Sequence, residues 1–96
     1  EARIGILALI ARQYRQLLHV RLMQDGKVPQ GEMMKRLGVP SFIFNRLQGQ
    51  ARPYDAQRLA RCVALCEETD YAIKSGRMRE EAALERAMLV LCARQA

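Results

Sequence analysis

Residues 31–52, GEMMKRLGVPSFIFNRLQGQAR, contain two short helical segments joined by a glycine turn. The first segment ends at Leu37, Gly38 turns the chain, and the second segment begins near Ser41. A glycine between two short helices is typical of a helix-turn-helix. However, the second segment opens with three large apolar side chains, Phe42, Ile43 and Phe44. Large apolar side chains at the start of a helix are unfavourable in a charged, hydrated DNA groove. The question is therefore what this segment contacts.

The register of this unit separates its two faces. If Gly38 is the turn glycine, the core positions are all apolar: Met33, Leu37, Val39, Phe44 and Leu47. The positions that face a groove are Ser41, Phe42, Asn45, Arg46 and Gly49. Asn45 and Arg46 could contact base edges, whereas Phe42 gains little there and Gly49 offers no side chain. Exposed apolar clusters more often mark protein contacts, so we expect a candidate interface at Phe42, Ile43 and Arg46.

Apolar periodicity predicts a long first helix from about Arg3 to Asp25. One face carries Ile4, Leu7, Ala11, Tyr14, Leu18 and Leu22. Further apolar residues widen this stripe beyond one face, so we expect this helix to be central, with neighbours on two sides. Gly26 supplies its C-terminal stop. Towards the other end of the chain, the pattern predicts a fourth helix from Asp55 to about Ser75, with Gly76 as its stop, and a fifth from about Arg79 to Ala93.

The two middle helices are expected to begin near prolines. Pro29 fits the first turn of the second helix, but Val28 at the N-cap position leaves that helix poorly capped. Ser41 is a good N-cap for the third helix, which runs to Arg52 and is ended by Pro53. Nothing alternates with period two, so the sequence predicts an all-α, compact bundle of about five helices in a single domain, 1–96. The chain opens without a methionine in a helical segment, which we interpret as a piece of a longer protein.

Composition and charge narrow the class of protein. No apolar run approaches the length of a membrane span, and no signal peptide is visible. The net charge of +6 is concentrated between Lys27 and Arg52, where five basic side chains stand against one acidic side chain. Basic helices are more often simply solvated, and no arginine-rich run or aromatic interleaving is present. We therefore expect at most weak, non-specific DNA binding.

The three cysteines are Cys62, Cys66 and Cys92. Cys62 and Cys66 lie one helical turn apart, but a zinc site requires about four ligands. The single histidine is His19, and the sequence contains no Cys-x-x-Cys motif. We therefore expect reduced cysteines that pack in the core and bind no metal.

Asp70 interrupts the apolar stripe of the fourth helix between Cys66 and Ile73. A carboxylate there is costly unless it is paired, so we expect a structural ion pair with Arg12 first and Lys74 second. A catalytic role for Asp70 would require partner residues that the sequence does not provide. It has no second carboxylate at a suitable spacing, no Ser-His or Cys-His arrangement and no phosphate-binding loop. We therefore expect no catalytic residue and no cofactor.

Five segments, in this order and spacing, resemble the C-terminal domain of the bacterial DNA polymerase III delta subunit. They are LIARQYRQLLHVRLMQDGK, KRLGVPSF, LQGQAR, DYAIKSGR and AALER, and they cover nearly the whole chain. In this clamp-loader family the domain is a small helical bundle that joins the equivalent domains of other subunits in a ring-shaped collar. Its helix-turn-helix-like unit is structural, and AAA+-like domains, missing here, precede it. The chain departs from the family at Val28–Gly31, where the cap is lost, and at Gly49, where a basic or polar residue is usual.

The resemblance implies an oligomerisation domain that supports sliding-clamp loading in DNA replication. Its partners would be the other loader subunits of a heteropentamer in the bacterial cytoplasm. The parent protein would then be a subunit of the DNA polymerase III holoenzyme, a nucleotidyltransferase, although this chain is not itself expected to be an enzyme. The alternative is a helix-turn-helix DNA-binding domain of a transcriptional regulator, which the basic middle region and the pair Asn45 and Arg46 favour.

Overall fold

The computed structural model describes residues 2–95, and the side chains of residues 5–93. It contains five α-helices: α1 (Ala2–Asp25), α2 (Gln30–Leu37), α3 (Ser41–Ala51), α4 (Ala56–Lys74) and α5 (Glu80–Gln95). No strand occurs among the described residues. The all-α bundle that the sequence predicts is therefore confirmed. Within the described part of the chain, no helix is long and apolar enough to cross a membrane.

Helix α1 is the centre of the bundle and contacts each of the other four helices. Its buried side chains follow the helical repeat: Leu7, Ala11, Tyr14, Leu17, Val20 and Met23. The predicted stripe through Leu18 and Leu22 drifts off this face, and Leu22 is 53% exposed. A step of four residues rotates a side chain by about +40° around the helix and a step of three by about −60°, so the row through Leu18 and Leu22 separates from the buried row through Leu17, Val20 and Met23. The side chain of Ile4 lies outside the described residues.

Two apolar clusters hold the helices together. The larger joins α1 to the end of α3, to α4 and to α5, and its buried members include Leu47, Leu59, Cys62 and Leu91. The smaller joins the end of α1 to α2 and the start of α3 through Met23, Met33 and Phe44, with Val28, Met34, Leu37 and Val39 packed against it. The short helix α2, which is too short to be stable alone, therefore depends on this small cluster for its position.

The helix ends follow local chemistry with three differences from the predictions. Pro29, with extended backbone, is the N-cap of α2, and not Val28. Gly38 and Gly76 have φ angles of 65° and 76° and stop α2 and α4. Asp55 caps α4, its Oδ1 accepting from the Arg58 amide at 2.7 Å. The stop of α1, however, is Lys27, with φ 57°, and not Gly26. Ser41 is not an N-cap, because the extended backbone of Pro40 takes that position and Ser41 lies inside α3.

A candidate interface on helices α1 and α5

An open groove of about 600 Å³ runs between α1, the end of α3 and α5. Its lining residues are Leu9, Ile10, Gln13, Tyr14, Leu17, Gly49, Gln50, Pro53, Tyr54, Met88, Leu91 and Cys92. The Nε2 of Gln13 donates to the Oε1 of Gln50 over 2.7 Å, which ties α3 to α1 at this groove. No Asp, Glu, Lys or Arg occurs among these lining residues, so the groove is apolar with amide groups at one side.

Large apolar side chains remain exposed beside this groove. Leu9 and Met88 line it and are 66% and 47% exposed. Ile6 lies one turn before Leu9, and Leu89 follows Met88, with exposed fractions of 53% and 72%. We call these four residues the α1–α5 face. Leu9 and Met88 line the same groove, and Met88 and Leu89 line an adjoining pocket on α5. Exposed apolar side chains concentrated in this way mark contacts with other molecules.

Of the three residues that the sequence predicts as an interface on α3, the structure leaves two exposed and partly buries the third. Phe42 and Arg46 are exposed, and Phe42 keeps 64% of its surface in contact with solvent. Ile43 is half-buried and packs against the larger core cluster. Each helical residue turns the side chain by roughly 100°, so Ile43 lies nearer to the inward side of α3 than Phe42 does. Phe42 and Arg46 therefore share an outer face from which Ile43 is excluded.

The expected core of the helix-turn-helix-like unit has two degrees of burial. Phe44 and Leu47 are 1% and 3% exposed. Leu37 and Val39 are half-buried and pack against the smaller cluster. The inner side of α3 is therefore committed to the interior of the bundle, and only its outer side remains for a partner.

Asp70 pairs within its own helix. The Nζ of Lys74 lies 2.9 Å from the Oδ2 of Asp70, whose side chain is 38% exposed. Lys74 is the partner that the sequence analysis ranked second. Arg12, which it ranked first, is exposed on α1. The α1 arginine that lines a pocket together with Asp70 is Arg15. Asp70 can pair this way because it lies at the edge of the buried stripe. The interior positions of α4 are instead Leu65, Thr69 and Ala72.

Thr69 is a buried polar residue that the sequence pattern did not single out. Its side chain is fully buried, and its Oγ1 donates to the Leu65 carbonyl over 2.7 Å. A threonine hydroxyl can be satisfied in this way by the preceding turn of its own helix. Thr69 therefore belongs to the core, and not to a site.

The cysteines fall into two environments. Cys62 and Cys66 are buried in the larger cluster, and all three thiols are free. Burial raises the pKa of the Cys66 thiol, and the neighbouring Cys62 adds to that increase. Cys92 is exposed at the groove and not packed in the core as expected, because it lies on the side of α5 that faces the groove. Among the described residues, no three His, Cys, Asp or Glu side chains form a cluster that could hold a metal ion.

The α1–α5 face is a site that the sequence pattern does not indicate by itself. The sequence feature that could have indicated this face is the number of apolar residues in α1. The helix has more of them than one buried face requires, among them Ile6 and Leu9. A helix that is apolar over such a wide arc either contacts neighbours on several sides or presents an uncovered surface. The pattern alone did not separate these outcomes, and the structure leaves Ile6 and Leu9 uncovered.

Comparison with known proteins identifies the family. A family model described as DNA polymerase III delta subunit, C-terminal domain, matches residues 1–91. No curated protein and no solved structure matches the chain.

Proposed function

This chain belongs to the family formed by the C-terminal domain of the DNA polymerase III delta subunit, and from that membership we propose that it is the collar domain of a clamp loader. In this role it holds a delta subunit in the heteropentamer by contacting the neighbouring subunits. Its contribution to clamp loading is architectural, and ATP hydrolysis belongs to other subunits. The membership favours this role over that of a transcriptional regulator.

The observation that carries the proposal is the α1–α5 face. Leu9 and Leu89 keep 66% and 72% of their surfaces in water. Removal of apolar surface from water stabilises an association by about 25 cal/mol per Å². A neighbouring subunit that covers these side chains therefore gains free energy that the isolated domain lacks.

The chemistry of the groove also favours a protein partner over a small ligand. Small-molecule sites combine an apolar lining with several converging polar groups that orient the ligand. Here two of the lining polar side chains, Gln13 and Gln50, are hydrogen-bonded to each other. The apolar remainder suits the apolar stripe of a helix, which needs area more than specific polar contacts.

Subunit reconstitution tests the proposal. The delta subunit that contains this domain is mixed with the other loader subunits of its organism, and assembly is measured by size-exclusion chromatography with light scattering. The double variant Leu9→Ser, Leu89→Ser should weaken assembly, because it removes apolar contact area from side chains that the fold does not bury. Circular dichroism of each variant establishes that it remains folded.

A matched control separates this face from a general loss of apolar surface. Leu22 lies on the same helix as Leu9 and is 53% exposed, but it lines neither the groove nor the adjoining pocket that Leu89 lines with Met88, so Leu22→Ser should leave assembly unchanged. Phe42→Ser reports on the alternative interface on α3. Unchanged assembly of the Leu9→Ser, Leu89→Ser variant, with loss in Phe42→Ser, would move the interface to α3. If deletion of the whole domain leaves the pentamer intact, the collar proposal fails.

A further inference from the structure

A second exposed surface lies away from the groove, on α2 and the first part of α3. These segments pack on Met23, near the end of α1, through Met33 and Phe44. On α1 the groove ends at Leu17, six residues before Met23, which is roughly 9 Å along the helix axis. Of α3, only Gly49 and Gln50 at its C-terminal end line the groove, so Lys35, Asn45 and Arg46 can be altered without changing it.

Charge is distributed unequally over the molecule. Residues 27–52, which include α2 and α3, carry five basic side chains and one acidic side chain. Residues 62–93, which include most of α4 and α5, carry four basic and six acidic side chains. Summed charges of one sign create a local potential that attracts ions of the other sign. Residues 1–26 carry four basic and two acidic side chains, so the α2 and α3 part has the largest positive excess and attracts anions most strongly.

The outer side of α3 presents one continuous row of exposed residues. Phe42, Asn45, Arg46 and Gly49 stand at positions i, i+3, i+4 and i+7, which lie on one side of a helix, and all four are exposed. Lys35 is exposed in the last turn of α2. Within the described side chains, neither Lys35 nor Arg46 forms an ion pair or hydrogen bond, whereas Arg36 pairs with Glu32 at 3.1 Å.

We propose that Lys35, Asn45 and Arg46 bind the phosphate backbone of duplex DNA. The ammonium, the amide and the guanidinium are all donors, and phosphate oxygens are acceptors at close and regular spacing along a duplex. Phe42 and Gly49 occupy positions where a sequence reader needs polar side chains, so the contact is with the backbone and does not select a sequence. This inference goes beyond the collar role, because DNA binding by this surface does not depend on whether the domain contacts the other subunits.

The test is a salt titration of this chain against a labelled duplex of random sequence. Fluorescence anisotropy should give dissociation constants of about 10⁻⁴–10⁻⁶ M near physiological salt, as expected for non-specific binding. The logarithm of the binding constant falls by about 0.9 per logarithmic unit of salt for each phosphate neutralised. Lys35→Gln with Arg46→Gln should therefore reduce that slope by about 1.8.

A matched control removes the same charge elsewhere. Arg79 and Arg86 are exposed in the acidic residues 62–93, the first just before α5 and the second in the middle of it. Arg79→Gln with Arg86→Gln should leave the slope unchanged within error. An equal reduction in both double variants would show that net charge alone governs binding, and would overturn the assignment of this surface. Absence of measurable binding at low salt would overturn it as well.

A gain of binding gives an independent check that does not depend on loss of function. Phe42 is 64% exposed and does not line the groove, so Phe42→Lys fits and adds a cation to the outer row of α3. Its slope should steepen by about 0.9, and an unchanged slope would count against the proposal. Competition with polyglutamate distinguishes the partner class. If polyglutamate displaces DNA at equal concentration of negative charge, the surface is one for acidic proteins and the DNA assignment is wrong.

Discussion

The amide of Val28 donates to the carbonyl of Met23 over 3.0 Å, and this bond closes the turn that ends α1. Lys27 lies within the turn, where its amide donates to the Gln24 carbonyl at 3.0 Å and its φ is 57°. The two bonds together form the Schellman pattern of a helix end. Because Met23 belongs to the cluster that holds α2 and α3, this turn helps to place both middle helices.

The first prediction follows from the left-handed backbone of Lys27. A side chain in that conformation costs about 1 kcal/mol or more, and glycine avoids the cost. Lys27→Gly should therefore raise the free energy of unfolding by about 1 kcal/mol in urea denaturation. Gly38→Ala should lower it by a similar amount, since φ at Gly38 is 65° and no atom lies within 4 Å of the added Cβ. Equal stability of Lys27→Gly and the parent would contradict this account of the turn.

The second prediction compares two phenylalanines two residues apart. Phe44 is 1% exposed in the smaller cluster, whereas Phe42 is 64% exposed. Phe44→Ala should lower the free energy of unfolding by about 3–5 kcal/mol, because it leaves a cavity. Phe42→Ala should change it by about 0.5 kcal/mol or less. Chemical denaturation of both variants makes the comparison, and similar losses would contradict the assigned register of α3.

The third prediction concerns the Asp70 and Lys74 pair. The two side chains are 38% and 65% exposed, and they are one turn apart in α4. Exposed helix pairs of this spacing contribute about 0.3–0.5 kcal/mol, so Asp70→Ala should lower stability by less than about 1 kcal/mol. A double-mutant cycle with Lys74→Ala should return a coupling energy of that size. A coupling several times larger would mean that the pair is buried in solution.

The fourth prediction separates the three thiols by reactivity. Cys92 is exposed, whereas Cys62 and Cys66 are buried. A thiol-specific reagent should modify one cysteine rapidly in the folded protein and the other two only as the fold opens. Cys92→Ser should abolish the rapid phase, as mass spectrometry of the intact chain would show. A second rapid modification in the parent would indicate that the α1–α4 contact opens readily.

The fifth prediction is a loss of stability at alkaline pH. Burial raises the pKa of Cys66 above its ordinary value of 9.0, so the unfolded chain releases this proton at lower pH than the folded chain does. The neutral Cys66 thiol therefore contributes to the stability of the fold fully at pH values below its pKa in the unfolded chain. This contribution is lost as the pH rises through its pKa in the folded protein. The free energy of unfolding should therefore fall as the pH rises above about 9, the ordinary pKa of the thiol. Cys66→Ala should reduce this slope, and Cys92→Ser serves as the control that leaves it in place.

Local features of the sequence were sufficient for the number, type and approximate bounds of the helices. Glycines 38 and 76, Asp55 and the 3.6-residue repeat act within a few residues, so their effects can be read without the fold. The predicted stop of α1 at Gly26 is wrong, although glycine is ordinarily preferred over lysine at a left-handed position. The hydrogen bonds from Lys27 and Val28 place that position one residue later.

Only the tertiary structure determines which apolar residues are covered by a neighbouring helix. Leu17 is buried and Leu22 is half exposed, although both belong to the same apolar helix. An apolar residue is buried only where a neighbouring element packs, and α1 is apolar over a wider arc than its neighbours cover. The same holds for the exposure of Cys92 and for the partner of Asp70, which depend on how α1, α4 and α5 rotate against one another. The repeat within each helix determines its own faces, whereas the relative rotation of the helices is determined by contacts between residues far apart in the chain.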